Sequence, residues 1–279
     1  MEPLLRPWAP QRRLQSNRNC MVRLVFITGA SSGLGQALAL QFYQAGYQLA
    51  LAARRTGEIN AWVQTNQLQS SRLQVYQVDV TQPAEMAAAA QQCIKTQGLP
   101  DVVLACAGMS VGMDTAEPED LAVMRQTWMT NNLGTAATFS PFIKDMIARK
   151  SGILMGLGSV NGIRGLAGHG ANCPSKAAMI SYLECLRLEL RGHGIQVVTI
   201  CPGYVATPLI RGNGFSMPFL LQPAEFAKQA QRAIEAGASY RVIPWQMGVV
   251  AKALRLMPNW LFDRQLSGRK RKPRASVIQ

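Results

Sequence analysis

Between residues 22 and 201, short apolar segments alternate about six times with segments of helical spacing. The apolar segments are 22–28 (VRLVFIT), 47–53 (YQLALAA), 73–78 (LQVYQV), 101–107 (DVVLACA), 152–158 (GILMGLG) and 195–201 (IQVVTIC). Runs this short and this apolar suit strands buried on both faces, as in a parallel sheet. Between them, QALALQFYQAG has helical spacing and stops at Gly46. Residues 84–97 and 174–192 also read as helices, and 119–149 reads as one long helix with a kink or break at Pro141. The alternation predicts an α/β fold, a doubly wound parallel sheet in a single domain. Such sheets bind ligands beyond the carboxyl ends of their strands, so the residues just after each strand are where function is to be sought.

The chain's 279 residues suit one such domain, over 21–262. Residues 1–20 carry no periodic apolar face and precede Met21, which opens the first strand; they read as a disordered extension. Residues 263–279 read as a basic tail. Charge looks at first like a nucleic-acid signal, at +14. Its placement argues otherwise, because the first 20 residues hold +3 and residues 264–279 hold +6, leaving about +5 on the body. No zinc-finger pattern or aromatic RNA-binding motif is present, so no specific nucleic-acid partner is expected. Six cysteines without a C-x-x-C, and two histidines, exclude the usual zinc patterns; no metal is expected, and the cysteines read as reduced thiols of a cytoplasmic protein. No apolar run is long enough for a spanning helix.

After the first strand comes Thr28-Gly29-Ala30-Ser31-Ser32-Gly33-Leu34-Gly35, leading into a helix. Glycines there allow a tight turn and close approach to a pyrophosphate, while the helix N-terminus offers free N–H groups. Later strands end in Asp79-Val80, in Ala105-Cys106-Ala107-Gly108, in Ser159 of GSVNG, and in Pro202-Gly203 followed by Val205 and Thr207. Asn131 lies in NNLG and Lys176 in PSKAA. Together these motifs, over roughly 22–210, resemble the short-chain dehydrogenase/reductase family, a Rossmann-type fold with a seven-stranded sheet.

The resemblance implies a nicotinamide cofactor on the glycine turn. It implies adenine contacts from Asp79-Val80, an N-A-G element with Cys106 in place of its asparagine, and a nicotinamide cover from the Pro202–Thr207 segment. The second strand ends in Ala52-Ala53-Arg54-Arg55, with no acid to hold ribose hydroxyls. An arginine there pairs with a 2′-phosphate, so NADP(H) is expected ahead of NAD(H), with a solvated basic loop as the alternative. The reaction implied is that of an oxidoreductase on a carbonyl/alcohol pair. Asn131 would support the active-site lysine through water, Ser159 would orient the substrate oxygen and Lys176 would bind ribose.

The family's catalytic tyrosine stands thirteen residues after the serine and four before the lysine, which is Asn172 here. An amide does not titrate near neutrality and cannot act as a general acid or base. Three readings follow: a binding or regulatory relative, a weak enzyme using Ser159 or water, or a variant of a tyrosine-bearing parent. His169 tempts as a substitute, but its Gly-rich loop reads as solvent-facing. Cys173 reads as a small buried residue or a reactive thiol, and Pro174 falls where a helix start tolerates it.

In the family, the region corresponding to 211–262 covers the substrate. Met217, Phe219, Leu220, Leu221, Trp245, Met247 and Trp260 there point to an apolar substrate. An apolar helix at 246–257 followed by Arg269-Lys270-Arg271-Lys272 fits either a docked helix with a solvated tail or weak peripheral contact with an anionic membrane. The family's habit of pairing long helices implies a homodimer or homotetramer.

Overall fold

The computed structural model describes residues 22–210, 216–268 and 271–274. The chain runs β1 (Leu24–Thr28), α1 (Gly33–Gln44), β2 (Gln48–Ala53), α2 (Thr56–Thr65), β3 (Leu73–Gln77), α3 (Pro83–Gln97) and β4 (Val102–Ala105). It continues through α4 (Asp120–Trp128), α5 (Gly134–Arg149), β5 (Gly152–Leu157), α6 (Asn172–Leu190) and β6 (Ile195–Pro202). The last elements are α7 (Pro223–Glu235), β7 (Tyr240–Ile243), α8 (Trp245–Leu256) and α9 (Asn259–Leu266). The strands form one parallel sheet in the order β3-β2-β1-β4-β5-β6-β7. The chain reverses its direction of travel across the sheet between β1 and β4, and open parallel sheets bind ligands at such a reversal.

The central strands are apolar because helices cover both their faces. Every residue of β1, β4 and β5 is buried, whereas edge strands β3 and β7 keep exposed positions. On one face α1 and α7 pack together, with Leu38, Ala39 and Phe42 against Phe226, Ala230 and Ile234. Phe42 meets Tyr47 edge-on at 4.9 Å. On the other face Phe26 and Phe142 lie 5.0 Å apart among side chains of α3, α5 and α6. Each such phenyl contributes roughly 1.5–3 kcal/mol by leaving water.

The long helix expected over 119–149 differs from its prediction. It breaks at a π-helical turn, Met129–Leu133, and not at Pro141, which lies inside α5. The widened turn buries Asn131, whose amide grips the backbone of Met109 on the neighbouring loop, and π-turns recur where a helix serves a site.

The tail also departs from expectation. Helix α9 continues past 262 to Leu266, and Arg271–Arg274 lie against the body of the domain. The extension read at 1–20 lies outside the described residues. No helix among the described residues is long and apolar enough to cross a membrane.

Candidate active site

The glycine turn is built by close backbone packing. Gly29 has φ +69°, and a Cβ on it would stand 2.6 Å from the Ala107 nitrogen. A Cβ on Gly35 would stand 2.2 Å from the Gly29 carbonyl oxygen. The turn is therefore pinned to the end of β4, and Thr28 donates to the Leu104 carbonyl at 3.4 Å. Ser32 is the N-cap of α1 but makes no side-chain cap, and no acid lies in the first turn. The first N–H groups of α1 are thus left for an anion. Ser31 is occupied through its carbonyl, which accepts from Gln36, and Leu34 packs on the core.

Opposite the turn, Thr207 places its side chain about 3.5 Å from where a Gly33 Cβ would be. The segment leading to it is fixed at several points. Gly203 N–H donates to Ile243, Val205 is buried and bridges to Leu221, and Pro202 ends β6. Beyond β2, Arg54 is exposed and lies 3.6 Å from the Asp79 carboxylate, while Arg55 is exposed at the start of α2. The Asp79 carboxylate also takes Thr81 N–H and hydroxyl at 2.9 Å. Val80 is buried against Gly134, tying the end of β3 to the start of α5.

The Lys176 ammonium donates to the Leu157 carbonyl at 2.8 Å and lies about 3.6 Å from the Cβ position of Gly108. Burial pulls its pKa down to about 8, against the opposing pull of the Cys201 and Cys106 thiols. Burial also pushes the Cys106 thiol up to about 12 and raises that of Cys201. Asn131 donates to the Ser175 hydroxyl at 2.9 Å and to the Met109 carbonyl at 3.0 Å, and accepts from the Met109 N–H at 2.9 Å. Ser175 in turn donates to the Asn172 carbonyl at 2.8 Å. Ser159 accepts from the Asn161 N–H at 3.1 Å, which leaves its own O–H to donate elsewhere. Asn172, buried in the first turn of α6, has an Oδ1 with no partner among the described residues. Position 172 thus holds a buried, unsatisfied acceptor one helical turn before Lys176.

The structure brings the glycine turn, Ala107, Gly108, Asn131, Lys176 and Thr207 together, and it leaves Arg55 at the periphery. Sequence reasoning missed Ser175 as the link between Asn131 and Asn172, since a lone serine in a helix carries no signal. His169 is not solvent-facing. It is part-buried, its Nδ1 has no partner among the described residues, and burial together with nearby Lys272 pulls its pKa down to about 4. Cys173 is buried and its thiol is raised by that burial, which is the state of a packing residue rather than a nucleophile.

Sequence reasoning also missed the C-terminal contacts. Arg274 donates to both oxygens of Asp120, at 2.8 and 3.1 Å, and Arg271 to Asp114 at 2.6 Å. Lys272 donates to the Ser110 carbonyl and hydroxyl at 2.8 and 2.6 Å. The signal available was an acid-rich run at 114–120 in a body otherwise short of acids, facing the chain's densest basic run.

Residues 23–214 match the family model for short chain dehydrogenase. An uncharacterized oxidoreductase of Myxococcus xanthus is 35% identical over 86% of this chain and 95% of its own length. Dehydrogenase/reductase SDR family member 7B of Bos taurus is 30% identical over 91% of this chain and 83% of its own. Among solved structures, a short-chain dehydrogenase from Streptomyces avermitilis superposes with TM-score 0.74 at 22% identity, covering 84% of this chain and 92% of that one. ElxO with NADP bound superposes with TM-score 0.72 at 22% identity, over 80% of this chain and 97% of that one. The fold, the pinned glycine turn and these matches agree: the chain belongs to the short-chain dehydrogenase/reductase family of oxidoreductases.

Proposed function

We propose that this chain is an NADP(H)-dependent oxidoreductase for a carbonyl/alcohol pair, held to a low rate by Asn172 at the position of the family's tyrosine. The observation that carries the reading is the meeting of the glycine turn, Gly108 and the Lys176 ammonium beyond the ends of β1, β4 and β5. The cofactor, when bound, supplies or accepts a hydride. The rest falls to the chain's own residues. The free N–H groups of α1 take the pyrophosphate, and Lys176 holds the nicotinamide ribose. Ser159 donates to the substrate oxygen. Asn172 can orient that oxygen but has no proton to exchange.

Arg54, beside Asp79, is the group we assign to the 2′-phosphate. The NADP carried by the fold neighbour ElxO is in keeping with this choice. A second reading, a cofactor-binding protein without useful turnover, is favoured by the unpartnered Oδ1 of Asn172. Phe219 and Leu220 are exposed and lead into Leu221, which bridges to Val205 of the proposed nicotinamide cover, and this favours an apolar substrate. Self-association as a dimer or tetramer belongs to the same reading. Contact of the tail with anionic membrane would be weak, because Arg271, Lys272 and Arg274 are already engaged within the molecule.

Fluorescence titration tests the cofactor assignment. NADPH should bind at least about tenfold more tightly than NADH, a charge-assisted contact contributing roughly 1.5–3 kcal/mol. Arg54→Ala should remove most of that preference. Equal dissociation constants for the unmodified chain would contradict the assignment.

A further inference from the structure

We propose that Arg271–Arg274 are a strap that closes the substrate side of the active site, latched by Arg274 on Asp120, and that its release governs access to the site. The proposal rests on the reading above of the Ser159–Lys176 cluster as the reaction site.

The strap's seat is built for it. Asp120 is buried, and its carboxylate accepts from Arg274 through both oxygens and from the Asp114 N–H at 2.7 Å. Gly112 and Arg274 form a parallel β-bridge. A Cβ on Gly112 would stand 2.0 Å from the Pro273 carbonyl oxygen, and one on Gly168 would stand 2.6 Å from the Lys272 nitrogen. Two glycines on two separate loops therefore leave room for the strap's backbone and for nothing larger.

Those loops are the walls of the site. One runs from Gly108 and Met109, which Asn131 holds, through Ser110 to Asp114. The other, 163–171, runs directly into Asn172. They join where Met113 N–H donates to the Gly168 carbonyl at 3.1 Å and where the Met113 sulfur lies beside Gly170. The strap lies across this seam, with Lys272 electrostatically coupled to His169 and Cys173. Asn172 and Cys173 are only 3% and 4% exposed.

The latch is strong at one point and weak elsewhere. Arg271–Asp114 and the 3.6 Å Arg274–Glu117 pair are largely solvated, and such pairs contribute little. Losing Arg274 would remove two of the three hydrogen bonds that the Asp120 carboxylate accepts, leaving the Asp114 N–H alone on it. A four-residue segment held mainly by ion pairs can open locally without unfolding the domain, and salt weakens its hold.

Thiol labelling reads this opening without any substrate. The full chain is treated with N-ethylmaleimide, and each cysteine is followed by peptide mass spectrometry. Cys93, on the buried face of α3, reports global unfolding. In Arg274→Ala, and in a chain ending at Gly268, Cys173 should label at least about tenfold faster while Cys93 keeps its rate, the signature of local opening. Gly112→Ala should do the same by displacing the strap without altering charge. Added salt should speed Cys173 in the parent and not in the truncated chain. An unchanged Cys173 rate in all three variants would overturn the proposal. So would Cys93 rising in step with Cys173, which would make the strap a general stabiliser. If Cys173 is released but no carbonyl compound is turned over, closure stands and the reaction assignment alone fails.

Discussion

Lys176 and His169 are both titratable groups that the fold pulls away from their charged forms. A lysine lowered from 10.5 to about 8 binds its proton less in the folded state than in the unfolded one. Stability therefore rises with pH between about 8 and 10.5, by up to about 3 kcal/mol for this group alone. Tyrosines and thiols raised by burial work in the opposite direction, so the difference between parent and variant is the quantity to follow. Denaturant unfolding from pH 7 to 10.5 should show Lys176→Met losing that rise; parallel curves for the two proteins would contradict it. His169, lowered from 6.5 to about 4, is neutral at pH 7 and charges only at a cost. The parent should lose stability as pH falls through that window, and His169→Gln should lose less. An identical acid limb in both would show that the ring is not desolvated. The place of Asn172 was legible because it rests on spacing from Ser159 and Lys176. The environment of Lys176 was not, since Cys106 and Cys201 approach it only after three strands have paired.

At the scale of elements, the turn between β1 and α1 was readable because its glycines are local and their purpose is steric. Gly35→Ala would drive a Cβ into the Gly29 carbonyl, so either α1 or the turn must move. We expect a loss of about 1–3 kcal/mol in stability together with weaker NADPH binding. Unfolding by urea with a parallel cofactor titration checks this, and an unperturbed variant would mean the turn is looser than it looks. The break between α4 and α5 was misplaced because Pro141 is a visible local signal and the π-turn is not. What sets the turn is Asn131 reaching Met109 and Ser175, contacts 22 and 44 residues away in sequence. The second helix layer was incompletely read too. Helix α7 is strongly amphipathic, but nothing local says that it packs on α1.

For the whole molecule, strand alternation was enough to give the parallel sheet, while the seventh strand came only through family resemblance and the strand order from the structure alone. The tail was misread because charge composition says how basic a segment is and not what it meets. Arg271, Lys272 and Arg274 meet Asp114, Ser110 and Asp120 more than 150 residues earlier. In the proposed reading these features meet at one site: a cofactor held by the glycine turn and Lys176, a substrate side closed by the strap, and at position 172 an asparagine, which does not ionise. The most direct test is steady-state turnover of a carbonyl-compound panel with NADPH, by the unmodified chain and by Asn172→Tyr, alongside NADPH affinity for both. The account predicts near-equal affinities and a kcat raised by about 10²–10⁴ in the tyrosine variant, the range for a restored general acid. An unmodified chain that turns over a carbonyl substrate quickly, and loses that activity on Asn172→Tyr, would contradict it.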